Sequence, residues 1–295
     1  MKTLSCVGAG RLGRTLCRLL SEHLTIGQII NSGQPSARQA IDFIGSGTAA
    51  TMETATPADL WLIATPDSQI EAAYQALLAS GALHDGAVVF HCSGSTSSSI
   101  LASEQDNINV ASVHPIHSFA SPQQSLTTFA GCHCAIEGQG DAVALLQPLF
   151  RSIGALPFTI NSQHKALYHS ATVMACNYLI SLLDTSQQML TAAGVDNSHG
   201  NILDSLIRQT LDNYLSTDAT AALTGPIARG DSATVASHLQ AFNGHEQADL
   251  WQQVYRALGN ATLPISQRQG QASEQQLQQI EQLLNPSLKK KQSHD

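Results

Sequence analysis

Charge is scarce in this chain. Asp, Glu, Lys and Arg make up 12% of its 295 residues, and acids outnumber bases 22 to 14, for a formal net charge of −8. A thinly charged, mildly acidic surface speaks against nucleic acid or an anionic membrane as the main partner, since both need clustered positive charge. Long apolar runs are also lacking, and no stretch reads as the roughly 18–20 apolar residues of a membrane-spanning helix. No leader is expected, because Met1-Lys2 runs directly into an apolar strand pattern. The 6 cysteines, at positions 6, 17, 92, 132, 134 and 176, are scattered, several of them inside apolar patterns as buried thiols are. Cys132-His133-Cys134 is half a metal site at most, with no second cysteine pair at zinc spacing. The expectation is a cytoplasmic protein without a metal.

What is present begins at Leu4. A short apolar run, Leu4 to Val7, meets Gly8-Ala9-Gly10-Arg11-Leu12-Gly13, and apolar residues at helical spacing follow (Leu12, Leu16, Leu19, Leu20). Strand, tight turn and helix in immediate succession make this G-x-G-x-x-G a dinucleotide-binding fingerprint. Gly8 permits the turn, Gly10 lets backbone approach a pyrophosphate, and Gly13 lets the helix pack on the strand. The helix start, with unpaired N–H groups and the positive end of a dipole, suits a phosphate.

The length suits two domains. Strand patterns at 24–30, 48–52, 59–65, 87–91, 109–114, 132–137 and 156–160 alternate with helical ones at 36–44, 67–80 and 141–153. This alternation predicts a doubly wound, mainly parallel sheet over residues 1–160. No strand pattern follows Ile160. Helices are expected at 162–193, 198–215, 232–241, 246–258 and 273–284, giving an all-helical domain over 161–285 and a frayed tail over 286–295.

The end of the second strand decides between cofactors. NAD-binding folds usually place an acid there for the adenosine ribose hydroxyls. Here the position reads Asn31-Ser32-Gly33, whose small polar groups suit a 2′-phosphate, and Arg11 and Arg38 can supply positive charge. NADP is therefore favoured over NAD, although Arg38 reads equally well as an exposed helix arginine. Ala64-Thr65-Pro66-Asp67 ends the fourth strand at the ligand-binding edge of such a sheet, where Asp67 also suits a helix cap.

Three stretches offer polar groups for proton transfer at that edge. His91-Cys-Ser-Gly-Ser95 presents Ser93 and Gly94, with His91 better read as a strand-end histidine bonded to backbone. Val113-His-Pro-Ile-His-Ser-Phe119 presents His114, catalytic or structural. Lys165-Ala-Leu-Tyr-His169 puts Lys165 and His169 on one helix face with Tyr168 on its flank. That trio offers a cation for a substrate carboxylate and an imidazole for protons; alternatively, it is a surface lysine beside a packed histidine. In Leu223-Thr-Gly-Pro-Ile-Ala-Arg-Gly-Asp-Ser232, Arg229 sits in a short rigid loop, fit to meet an anion or to form a structural salt bridge.

Taken together, the chain resembles Rossmann-like proteins with a C-terminal helical domain of unknown function, related to pyrroline-5-carboxylate reductase and the β-hydroxyacid dehydrogenases. The marks are Val7-Gly-Ala-Gly-Arg-Leu-Gly13, Ala64-Thr-Pro-Asp67, His91-Cys-Ser-Gly94, His114-Pro115 with Phe119, Lys165-Ala-Leu-Tyr-His169 with Asn177-Tyr178, and Thr224-Gly-Pro-Ile-Ala-Arg-Gly-Asp231. The resemblance implies an NADP-binding domain and a helical domain that pairs with its twin as a homodimer. It also implies Asn177 beside the substrate. The β-hydroxyacid dehydrogenases carry asparagine where this chain has His169, so their activity does not carry over.

The function expected is hydride transfer between a nicotinamide and a small, anionic carbonyl or imine compound. Lys165, His169 and His114 would be its catalytic residues, with Tyr168, Asn177 and Arg229 at the substrate. The alternative is an NADP-holding sensor or scaffold without turnover.

Overall fold

The computed structural model describes residues 1–102, 107–195, 200 and 202–286. They form two compact units, which divide between Leu179 and Ile180. The division falls inside one long helix.

In the first unit the strands are β1 (Thr3–Val7), β2 (Thr25–Ile30), β3 (Thr48–Ala50), β4 (Leu60–Ile63), β5 (Val88–His91), β6 (Asn109–Pro115), β7 (His133–Gly138) and β8 (Leu156–Thr159). They make one sheet in the order β3-β2-β1-β4-β5-β6-β7-β8. Each neighbouring pair is parallel except β6 with β7, which runs antiparallel and sets His114 opposite Ala135. The central parallel strands β1, β4 and β5 are buried on both faces, which explains their near-continuous apolar sequences. Along β4, Leu60 and Leu62 join the core on one face while Trp61 and Ile63 join that on the other.

Helices α1 (Arg11–Leu20), α2 (Gln34–Ile44), α3 (Ile70–Ala79), α4 (Pro122–Thr128) and α5 (Gly140–Ser152) connect the strands. The sequence pattern does not show α4; it is short, opened by Pro122 in its first turn and capped by the Ser121 hydroxyl. Asp67 does not cap α3. A single 3-10 turn over Asp67–Gln69 precedes that helix, whose start has no side-chain cap.

Helix α6 (Lys165–Ala192) carries the chain out of the first unit. The helical stretch Ser162–Ala192 that contains it has mean hydropathy 1.2 over its most apolar window, long and apolar enough by length and composition to cross a membrane. This corrects the expectation that no such run exists. Polar residues are interspersed through the segment, among them His169, Asn177, Asp184 and Gln187, so no unbroken apolar run shows by eye.

The second unit continues with α7 (Asp204–Ser216), α8 (Ala219–Ala222), α9 (Ser232–Ala241), α10 (Ala248–Gln269) and α11 (Glu274–Leu284). Its core gathers Ile227, Val235, Leu239, Phe242, Trp251, Ile280 and Leu284. The expected helix start at 198 and the tail beyond residue 286 lie outside the described residues. Helix α10 runs on through Gly259 and Pro264, well past the expected end at 258. A side chain at Gly259 would strike Leu284 Cδ2 at 2.8 Å, so glycine there admits α11 rather than ending α10.

Candidate active site

The carboxyl ends of β1, β4, β5 and β6 lie along one edge of the sheet, and the strand order reverses at β1. Open α/β sheets place ligands at such an edge.

At β1 the chain bends at Gly8, with φ +86°, and the Gly8 N–H bonds Ile30 O at 2.8 Å. A Cβ at Gly8 would lie 2.8 Å from Thr65 N, and one at Gly13 2.8 Å from Gly8 O and 3.0 Å from Ala64 Cβ. These two glycines are needed for internal packing. Gly10 is not: beyond its chain neighbours and its own helix, the nearest atom to a Cβ there would be Gly8 O at 4.0 Å. It opens α1 without a side-chain cap and with no acid in the first turn. Thr65 adds an orphan, for its hydroxyl is buried and has no hydrogen-bond partner among the described residues. An open glycine, an uncapped helix start and an unpaired hydroxyl fit a bound dinucleotide phosphate.

The other residues expected at the cofactor divide between the loop and the surface. Asn31 holds the turn itself, its Oδ1 accepting the Ala9 N–H at 2.7 Å. Arg11, Ser32, Arg38 and Pro66 are exposed, and Leu12 is half-buried. Ser93 is buried, its hydroxyl donating to Asp67 Oδ2 at 2.6 Å while accepting the Thr96 N–H at 3.0 Å. Asp67 also accepts the Ser95 hydroxyl at 3.3 Å. The acid that suits a helix cap in the sequence thus fastens the loop after β5.

Beyond that loop stand two imidazoles. His114, near the end of β6, and His169, in the first turns of α6, lie 5.4 Å apart edge to face. Gly94 makes room for both. A Cβ on it would fall 2.8 Å from His114 Nε2 and closer still to His169 Nδ1. Tyr168 OH lies 2.8 Å from His114 Nδ1. Burial pushes the Tyr168 phenol up to about 12, with the neighbouring Cys134 and Cys132 thiols adding to the rise. Burial likewise draws His114 down to about 4, helped by His169 and Lys165 against Asp67. Tyr168 and His114 thus share this hydrogen bond as two neutral groups, and Nε2 is the His114 nitrogen facing Gly94. His91 is fully buried, with Nδ1 accepting the Ser93 N–H at 3.1 Å and Nε2 against Ser97 O at 3.4 Å. It is a strand-end histidine bonded to backbone.

Lys165 is placed differently from the solvent-facing cation that its sequence position suggests. Only 1% of its side chain is exposed. Its ammonium donates to the Ser112 hydroxyl of β6 and, at 2.9 Å, to Glu137 Oε1 of β7. Glu137 is filled from its other side by the Ser98 N–H at 2.8 Å and the Ser98 hydroxyl at 2.7 Å. Burial works to raise the Glu137 carboxyl, but the bonds from Ser98 and Lys165 outweigh it and hold the group below the ordinary carboxylate range. This ion pair pins the start of α6, and with it Tyr168 and His169, to the sheet. Sequence reasoning passed over Glu137, though a lone acid in Cys134-Ala-Ile-Glu137 is a signal, since an apolar strand rarely buries a carboxylate without a partner.

Asn177 is exposed on α6. In the second unit, Arg229 is exposed in the loop before α9, where Asp231 caps that helix through the Thr234 N–H at 3.0 Å. Thr224, Pro226 and Ile227 of the same motif line an apolar cavity of about 370 Å³ with Met189, Tyr255 and Leu258.

Comparison with known proteins bears on the fold. Residues 2–115 match the family model of a Rossmann-like domain, and residues 132–262 match a domain of unknown function, DUF2520. A protein of Thermotoga maritima has a similar solved structure, 26% identical, with TM-score 0.71 over 90% of this chain and 98% of that one. A candidate NADP oxidoreductase of Bacteroides fragilis shares the fold at 19% identity and TM-score 0.70, over 87% of this chain and 97% of that one. A reductive aminase of Aspergillus terreus, solved with NADPH and ethyl-5-oxohexanoate, shares it at 13% identity and TM-score 0.58, over 98% and 94%. No curated protein matches the chain at significance. The chain thus carries a Rossmann-like domain followed by the domain of unknown function DUF2520, whose match takes in β7 and β8 as well as the helices from α6 into α10.

Proposed function

We propose that the chain is an NADP-dependent oxidoreductase that acts on a small carbonyl or imine compound. The observation that carries this reading is the sheet edge. It holds a glycine turn open to a phosphate ligand and, two strands along, an imidazole pair against Gly94. Gly10, Arg11, Leu12 and Gly13 would hold the pyrophosphate, Thr65 and Pro66 the nicotinamide ribose, and Asn31, Ser32 and Arg38 the adenosine side. When bound, the cofactor supplies or accepts a hydride.

The chain's own residues manage the proton. His169, half-buried beside Gly94, is the group that gives a proton to the substrate heteroatom or takes one from it. His114 presents Nε2 toward Gly94, with Tyr168 holding its ring through Nδ1. Lys165 acts through Glu137 and Ser112 as a positioning residue. Similar solved structures of an NADPH-bound aminase and a candidate NADP oxidoreductase support the cofactor and the reaction class.

We also propose a cytoplasmic homodimer. Reduced, mostly buried cysteines suit that compartment. Exposed apolar side chains on α6 and α7 (Met174 at 65%, Ile180 at 70%, Leu206 at 59% and Leu215 at 78%) suit pairing with a second copy through the helical region of residues 161–285.

The test is calorimetric titration of the full chain with NADPH and NADH, followed by a screen of ketones, aldehydes and imines for NADPH oxidation. NADPH binding with turnover that His169→Ala abolishes is the expected result. Tight binding without turnover on any compound would favour a sensor, and no binding of either nucleotide would overturn the proposal.

A further inference from the structure

The charge of the substrate follows from how Lys165 is spent. In the sequence this lysine invites a carboxylate ligand, being four residues from His169 on one helix face. In the fold its ammonium is sealed, with Glu137 Oε1 at 2.9 Å and the Ser112 hydroxyl as its partners. The Glu137 carboxylate is in turn closed by Ser98. The pair sums to zero charge and has no open side. Reaching Lys165 would require a substrate carboxylate to displace a buried partner and leave Glu137 charged and unpaired.

Apart from His169, the imidazole that gives or takes the proton, no described side chain of the first unit beside His114 carries a compensating positive charge. The charges that act on His114 are those of His169, Lys165 and Asp67. Lys165 is cancelled by Glu137, and Asp67 carries a negative charge. Tyr168 and His114 are neutral. Arg11 stands in the glycine turn, where the phosphates are assigned. A carboxylate beside His114 would thus meet Asp67 with no fixed cation from the first unit to offset it.

We infer that the part of the substrate meeting His114, Tyr168 and His169 is uncharged: a neutral ketone, aldehyde or imine rather than a keto or imino acid. The inference rests on the oxidoreductase reading and deepens it by naming the substrate class. It replaces the anionic compound expected from the sequence.

The experiment follows imidazole nitrogen signals of the full-length, NADPH-loaded protein by NMR, assigned with His114→Gln and His169→Gln. The ligands are cyclopentanone and 3-oxocyclopentanecarboxylate, a pair that differs by one carboxylate. Cyclopentanone is expected to shift the His114 and His169 signals at concentrations at least tenfold below those needed by the acid. In Asp67→Asn that gap should narrow, because the opposing charge is gone. Equal or tighter engagement of the acid, or no response to either ligand, overturns the inference. Failure of NADPH to bind in the loading step overturns the oxidoreductase reading instead, so the two failures are distinct.

Discussion

Gly10 and Gly94 lie on the same sheet edge for opposite reasons. Around Gly10 a side chain would find open space, whereas at Gly94 it would collide with two imidazoles. The first glycine leaves room for something outside the chain. The second lets the chain crowd its own proton-handling groups together and hold them there with a buried ion pair. The comparison separates a binding surface, whose parts answer to a ligand, from a preorganised cluster, whose parts answer to one another.

The sharpest way to break that contrast is to unpin the cluster. Glu137→Ala leaves the Lys165 ammonium buried without its carboxylate and should cost about 3–5 kcal/mol of stability, read by urea denaturation. Glu137→Ala with Lys165→Met should recover much of the loss, because no lone charge remains.

Acid should loosen the cluster next. His91 and His114 titrate near 4 in the fold, against an ordinary value of 6.5. Between those values the unfolded chain binds protons that the folded chain refuses. Their contribution is therefore complete above pH 6.5 and lost as the pH falls toward 4. The loss is on the order of 3 kcal/mol per imidazole at most. His91→Asn should flatten the fall in melting temperature between pH 7 and 4.

Gly94→Ala should displace both imidazoles and lower kcat about 100-fold, with NADPH affinity unchanged within about twofold. Gly10→Val should do the reverse, weakening NADPH about tenfold (about 1.4 kcal/mol) while leaving the unfolding free energy within about 0.5 kcal/mol. If either variant produced the other's pattern, the division between the two glycines would be wrong. The smallest effect belongs to Tyr168→Phe. Losing its bond to His114 should cost about 1 kcal/mol, seen as a roughly fivefold drop in kcat and a change of His114 tautomer by NMR.

Much of the architecture was legible in the chain. Buried parallel strands such as Leu60–Ile63 read as continuous apolar runs, and the fingerprint from Gly8 to Gly13 needs its glycines for reasons visible in order and spacing. Short or interrupted elements were not. Helix α4 has only 7 residues, and α10 crosses Gly259 and Pro264 because contact with α11 outweighs local preference. At the site, Lys165 and His169 could be placed on one helix face, but which way each turned could not be read from their spacing.

The sequence by itself determined a Rossmann-like sheet with its phosphate-binding turn, and a helical region after it, because both depend on periodicity and backbone freedom that neighbours in the chain express. Only the tertiary structure decided that Lys165 belongs to Glu137, that Asp67 belongs to Ser93, and that Gly94 makes room for two imidazoles. The first two pairings join residues 28 and 26 positions apart. Whether a charge is free or cancelled depends on what the fold brings within about 3 Å of it.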